Sequence, residues 1–195
     1  MRMKYKACEQ GCNMREIAVC SPEIYTSVVM QEYIQQQCLE EDKQWIYRLI
    51  DGQQSEEEHV YLDDAEFMLC RDLHPRTDLR YLVIFKDRSL RTIRDLREEH
   101  IPLLQRVQDT VNAFLDEHHS QDRDQYRIFF HYTPSVFQLH AHVSIPGAHN
   151  QSTRMHPLHV LIRNLRVCST WYQDALILIS LCRSMKALHV YRALK

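Results

Sequence analysis

Glycine is scarce: Gly11, Gly52 and Gly147 are the only three in 195 residues. A loop that wraps phosphates with backbone amides needs several glycines at fixed spacing, and neither GxGxxG nor GxxxxGK[ST] occurs. A phosphate bound by this chain must be held by side chains or by a helix end. Long apolar runs are missing as well. The longest, such as Ala175 to Leu181, fall far short of the roughly 20 residues that cross a bilayer. The N-terminal MRMKYKACEQGC lacks the apolar segment of a secretory signal. No membrane partner and no signal peptide are expected.

Neither sign of charge dominates. Lys plus Arg number 24 against 26 Asp plus Glu, a formal net charge of -2. A grip on long nucleic acid shows as a basic surplus, because that affinity comes from neutralising phosphates. Long nucleic acid is therefore not an expected partner, while a short nucleotide fits. The C-x2-C spacing of structural zinc sites is missing too, although Cys8, Cys12 and Cys20 lie close in sequence. Seven scattered cysteines, an odd number, suit a reducing compartment better than a disulfide framework. No metal and no cofactor are expected.

What is present supports a folded core, with 45% apolar and 26% charged residues. The length suits one domain with a small appendage. Residues 1–44 read as an N-terminal helical or linker segment, with a helix from Ser21 to Glu41 that Ser21 caps ahead of Pro22. Residues 45–195 read as the main domain. WIYRLI from Trp45 suits a strand or short helix, and Asp51-Gly52 a turn. Strands are expected near Val60, in EFMLCRDL and in RYLVIFK. A helix follows, with an Asp95 to Glu98 capping box, Pro102 early, and apolar Ile101, Leu104, Val107, Val111, Phe114 and Leu115 at helical spacing. Two strands, 126–132 and 136–145, flank Thr133-Pro134-Ser135. A helix over His156 to Leu165 and a buried strand in ALILISLC complete an α+β domain with a mostly antiparallel sheet.

The chemistry concentrates in Gln138-Leu139-His140-Ala141-His142-Val143. Strand alternation puts Gln138, His140 and His142 on one face and Leu139, Ala141 and Val143 in the core. A histidine attacks phosphorus when a neighbour fixes its tautomer, and a second histidine can donate to a phosphate or to the leaving group. The same row also reads as half-exposed surface histidines or as a metal site, the latter weakened by the absence of a carboxylate or cysteine in the strand. His131 joins the site if the two flanking strands pair.

These residues carry a resemblance. DLREEHIPLLQRV and FFHYTPSVFQLHAHVSIPG, with WIYRLIDGQQ and FMLCRDL, are similar to the C-terminal domain of the scavenger mRNA-decapping family of the histidine-triad superfamily. The resemblance covers roughly residues 20 to 190. It implies a histidine-triad fold and hydrolysis of the triphosphate bridge of 7-methylguanosine caps, releasing 7-methyl-GMP. By the same resemblance His140 is the nucleophile, His142 the last histidine of the triad, and Gln138 stands where the first would be. His131 and Ser135 lie beside the phosphates, Trp45 stacks on the methylated base, and Asp72 and Leu73 line the base site.

The departures are specific. Gln138 cannot relay charge. His74 replaces a basic residue and weakens the pull on the triphosphate. Ser55 stands where the family has a base-recognising glutamate, with Glu56 next to it as the expected substitute. Val136-Phe137 removes a tyrosine hydroxyl, and no counterpart of the family's swapped N-terminal domain is read here. The resemblance implies a homodimer, with the 101–115 helix contributing to the interface, and a place in cytoplasm and nucleus. The expected substrate is a cap dinucleotide or short capped RNA remnant. The alternatives are a degenerate relative that dimerises or binds nucleotide, and a hydrolase of other dinucleoside polyphosphates.

Overall fold

The computed structural model describes residues 15–27, 44–55, 58–72, 80–145 and 155–182. In chain order the strands are β1 (Arg15–Cys20), β2 (Val60–Asp63), β3 (Phe67–Arg71), β4 (Arg80–Phe85), β5 (Arg127–His131), β6 (His140–Ser144), β7 (Met155–Pro157) and β8 (Ile177–Cys182). The helices are α1 (Pro22–Ile24), α2 (Trp45–Ile50), α3 (Ile101–His118), α4 (Leu158–Val167) and α5 (Trp171–Asp174). Six strands form an antiparallel sheet in the order β2-β3-β4-β6-β5-β7, and β1 pairs with β8 in a separate ribbon. The α+β class expected from the sequence is the one found.

Both faces of the six-stranded sheet are covered, which is why β4 is a continuous apolar run and not an alternating one. Its Tyr81, Val83 and Phe85 meet the core on the α3 and α4 side, with Leu104, Val107 and Leu161. Leu82 and Ile84 point the other way and pack with Met68, Cys70 and Val136 beneath Ile46 and Leu49 of α2. The histidines of β6 emerge on this second face, so α2 and the sheet between them frame the site.

The ribbon is tied to the domain by a buried arginine. Arg94 Nε donates to the Tyr132 hydroxyl at 2.7 Å, Nη2 to the Cys20 carbonyl at 2.7 Å, and Nη1 to the carbonyls of Tyr172, Gln173 and Ala175 at 2.8–3.2 Å. Its guanidinium also lies 5.2 Å from the ring centres of both Tyr25 and Tyr132. Carbonyl dipoles and ring faces take the place of a carboxylate here. Through β1 the segment before residue 45 thus contributes Ala18 and Cys20 to the main core.

Several elements differ from expectation. Ser21 caps α1 by accepting from the Ile24 amide, but α1 proper ends at Ile24; residues 28–43 of the expected helix lie outside the described residues. Asp95 does not cap α3. Its carboxylate accepts from the amides of Arg91 and Thr92 at 2.8 Å, closing a capping box on the one-turn helix Ile93–Asp95. The helix expected from His156 starts at Leu158, because Met155–Pro157 pairs with β5. β6 starts at His140 and not at Val136, since Leu139 bonds to the chain at Phe85 and Leu90 instead of to β5. β8 is buried on one face only: Ile177 and Ile179 are covered, while Leu178 is 43% exposed. The apolar stripe of α3 is buried in the chain's own core, so it is not available as an intersubunit surface. Among the described residues no helix is long and apolar enough to cross a membrane.

Candidate active site

The β5–β6 register sets Phe129 opposite His142, and β4–β6 pairing sets Leu82 opposite His142 and Ile84 opposite His140. Alternation then places His140 and His142 on one face with Phe129 and His131. Their rings are in contact. The His140 and His142 centroids are 5.3 Å apart, those of His131 and His142 are 4.5 Å apart, and Phe129 stacks on His142 at 5.6 Å and 19°. Phe129 had a signal in the sequence, since it alternates with His131 in YRIFFHY, yet a phenylalanine in a strand reads first as core.

His140 is buried, and its Nδ1 lies 2.7 Å from the Gln138 carbonyl. A carbonyl only accepts, so Nδ1 carries the proton and Nε2 keeps its lone pair. Burial, and after it the neighbouring His142, pushes the His140 pKa down to about 4. The ring is therefore neutral and nucleophilic across the physiological range. His142 faces a carboxylate, with Nδ1 3.8 Å from Asp72 Oδ2. Asp72 reaches that position because it continues the face of Met68 and Cys70 just beyond β3, its amide donating to the Arg80 carbonyl at 3.0 Å.

Gln138 is fully buried and lies just ahead of β6. Its Nε2 is within 2.7 Å of the Phe85 carbonyl, 2.9 Å of Asp87 and 3.4 Å of Leu90. This side chain braces the turn after β4, while its own main-chain carbonyl orients His140. Neither task needs a titratable group, which is how glutamine can stand at this position.

Trp45 opens α2 half-buried at the edge of the Ile46, Leu49 and Met68 cluster, with Tyr47, Ile50 and Val60. Tyr47 ties the helix to the segment before β6 by donating to the Phe137 carbonyl at 3.3 Å. Ser135 is exposed in that segment. Glu56, Leu73 and His74 lie outside the described residues. Glu58, the described residue of the acidic run, is buried and its carboxylate accepts from the Ser55 amide at 2.8 Å. The structure thus brings His140, His142, His131, Asp72 and Gln138 together, with Trp45 at the rim of the apolar cluster beneath α2.

The family described as scavenger mRNA decapping enzyme C-term binding matches residues 44–156. The m7GpppX diphosphatase of Homo sapiens is 28% identical over 142 residues, which cover 67% of this chain and 42% of that protein. The m7GpppX diphosphatase of Ascaris suum is 26% identical over 163 residues, covering 78% of this chain and 53% of that one. The chain therefore spans about half, or less, of these relatives' length. Among solved structures, a histidine triad protein from Clostridium difficile superposes with a TM-score of 0.45 and 16% identity, covering 55% of this chain and 93% of that one.

Proposed function

Because this chain belongs to the scavenger mRNA decapping enzyme C-terminal family, we propose that it hydrolyses the triphosphate bridge of 7-methylguanosine cap dinucleotides or short capped remnants. The observation that carries this reading is the bond from His140 Nδ1 to the Gln138 carbonyl, which leaves Nε2 unprotonated in a buried, neutral ring.

In the reaction Nε2 of His140 attacks the phosphorus next to 7-methylguanosine. A phosphorus–nitrogen bond forms as the bridging phosphorus–oxygen bond breaks, and His142, held beside Asp72, hands a proton to the departing diphosphate. Water then attacks the phosphohistidine and gives a proton back to His142; a phosphorus–oxygen bond forms as the phosphorus–nitrogen bond breaks, and 7-methyl-GMP leaves. Trp45 stacks on the cationic methylated base, an arrangement that indole favours. A homodimer is part of this reading, resting on a surface other than the apolar stripe of α3.

The test is incubation of purified protein with 7-methyl-GpppG and with unmethylated GpppG, products resolved by chromatography, with His140→Asn alongside. Release of 7-methyl-GMP from the methylated substrate by the wild type and not by the variant is expected. No turnover by a protein whose circular dichroism shows it folded moves the function to nucleotide binding without hydrolysis.

A further inference from the structure

We propose that Arg80 and Arg127, set on either side of Ser144, form an anion subsite that holds the phosphates of the bridge departing from His140. The proposal rests on the reading that His140 attacks and His142 protonates the leaving group, and it says where that group goes.

The register defines the row. Ser144 pairs with Arg80 of β4 on one side and with Arg127 of β5 on the other. Ser144 lies two residues beyond His142 and four beyond His140, so all three project from the same face of β6. Arg80 shares a face with Leu82 and Ile84, and Arg127 shares one with Phe129, which stacks on His142. Strand rise sets the row about 7 Å past His142 and about 14 Å past His140, and a long guanidinium side chain can reach back over part of that span. The order along the strand is attacking group, proton donor, cations. A leaving group that takes its proton from His142 is carried toward the arginines.

The state of the two arginines fits a ligand better than a structural pair. Arg80 is half-buried, and while its backbone pairs within the sheet, its guanidinium makes no hydrogen bond or ion pair among the described residues. A partly buried guanidinium ordinarily takes a carboxylate or carbonyl partner. Arg127 is exposed, and a terminal nitrogen is held by the carbonyls of Asp124 and Tyr126, which anchors one branch of the fork and leaves its other donors unspent. Asp72 stands in the same row beyond Arg80, but its carboxylate is near His142. The row therefore keeps a surplus of one positive charge. Ser144 itself is buried at 3% exposure and adds a hydroxyl between the two cations. This places cationic help for the bridge on β4 and β5.

Inorganic tripolyphosphate is the probe, because it needs neither base recognition nor turnover. Calorimetry on the full chain should show affinity rising from phosphate through pyrophosphate to tripolyphosphate. Arg80→Gln and Arg127→Gln should each weaken tripolyphosphate by about tenfold, the loss of one charge-assisted contact, with unfolding midpoints unchanged. Arg163→Gln, an exposed site on α4 on the opposite side of the sheet, should not. Wild-type affinity in both row variants, or a wild type that does not bind tripolyphosphate, overturns the subsite. Tripolyphosphate binding that depends on the row in a protein that turns over no dinucleotide keeps the subsite and removes the hydrolase reading alone.

Discussion

The main-chain carbonyl of Gln138 accepts the Nδ1 proton of His140 at 2.7 Å, while the Gln138 amide nitrogen is bonded to the turn after β4. One residue thereby sets both the tautomer of the attacking ring and the backbone that supports it. Replacing its side chain should loosen His140 without removing a proton donor or acceptor from the chemistry.

Gln138→Leu leaves the Phe85 and Asp87 carbonyls without their buried donor. We expect a loss of about 2–4 kcal/mol, the cost of orphaning buried acceptors, seen as a lower urea midpoint. Gln138→Glu should be worse, since an ionised carboxylate has no proton to offer carbonyl oxygens. A Gln138→Leu variant as stable as the wild type would remove the brace.

Asp72→Asn should lower kcat by about tenfold with a smaller change in KM, because a neutral amide holds the His142 imidazole and its departing proton less well than a carboxylate. Steady-state kinetics on 7-methyl-GpppG measure this. An unchanged kcat would detach Asp72 from His142.

Stability should fall on acidification. Burial holds both His140 and His156 down to about 4, with Arg94 adding to the effect at His156. In the unfolded chain both titrate near pH 6.5. Between those values the unfolded state binds more protons, so stability is full above about pH 6.5 and declines as pH falls toward 4. The combined loss is on the order of a few kcal/mol. Urea melts at pH 7, 5.5 and 4.5 read it, and His156→Gln should flatten the decline.

Arg94→Leu orphans carbonyls on both β1 and the segment leading into β8. About 3 kcal/mol of destabilisation is expected. Hydrogen exchange should show the β1–β8 amides losing protection before those of β4. Uniform loss across the molecule would mean that the arginine does not specifically tie the ribbon.

Tryptophan emission separates binding from core packing at Trp45. Quenching by 7-methyl-GMP should persist in Trp171→Phe, a residue 40% exposed on α5, and vanish in Trp45→Leu. Quenching that survives Trp45→Leu would leave Trp45 a packing residue.

Much of the molecule is local in origin and so was readable in the chain. The apolar stripe of α3, the continuous run of β4 and the alternation of Leu139, Ala141 and Val143 against His140 and His142 follow from the periods of helix and strand, and the scarcity of glycine limits phosphate binding to side chains and helix ends. Other features depend on residues far apart in sequence. The Phe129 stack on His142 and the Arg80–Ser144–Arg127 row are products of strand register. The buried tie at Arg94 joins β1, the end of β5 and the approach to β8. The commitment of the Gln138 amide required the turn after β4 to be folded against it. Sequence determines which faces are apolar and which side chains alternate, because those are properties of neighbours along the chain. Which polar groups of distant segments meet is decided only when the chain folds back on itself, because such a partner has no fixed distance in sequence: the carbonyl that orients His140 is two residues away, but the Gln138 side chain is held by the turn after β4, about fifty residues earlier.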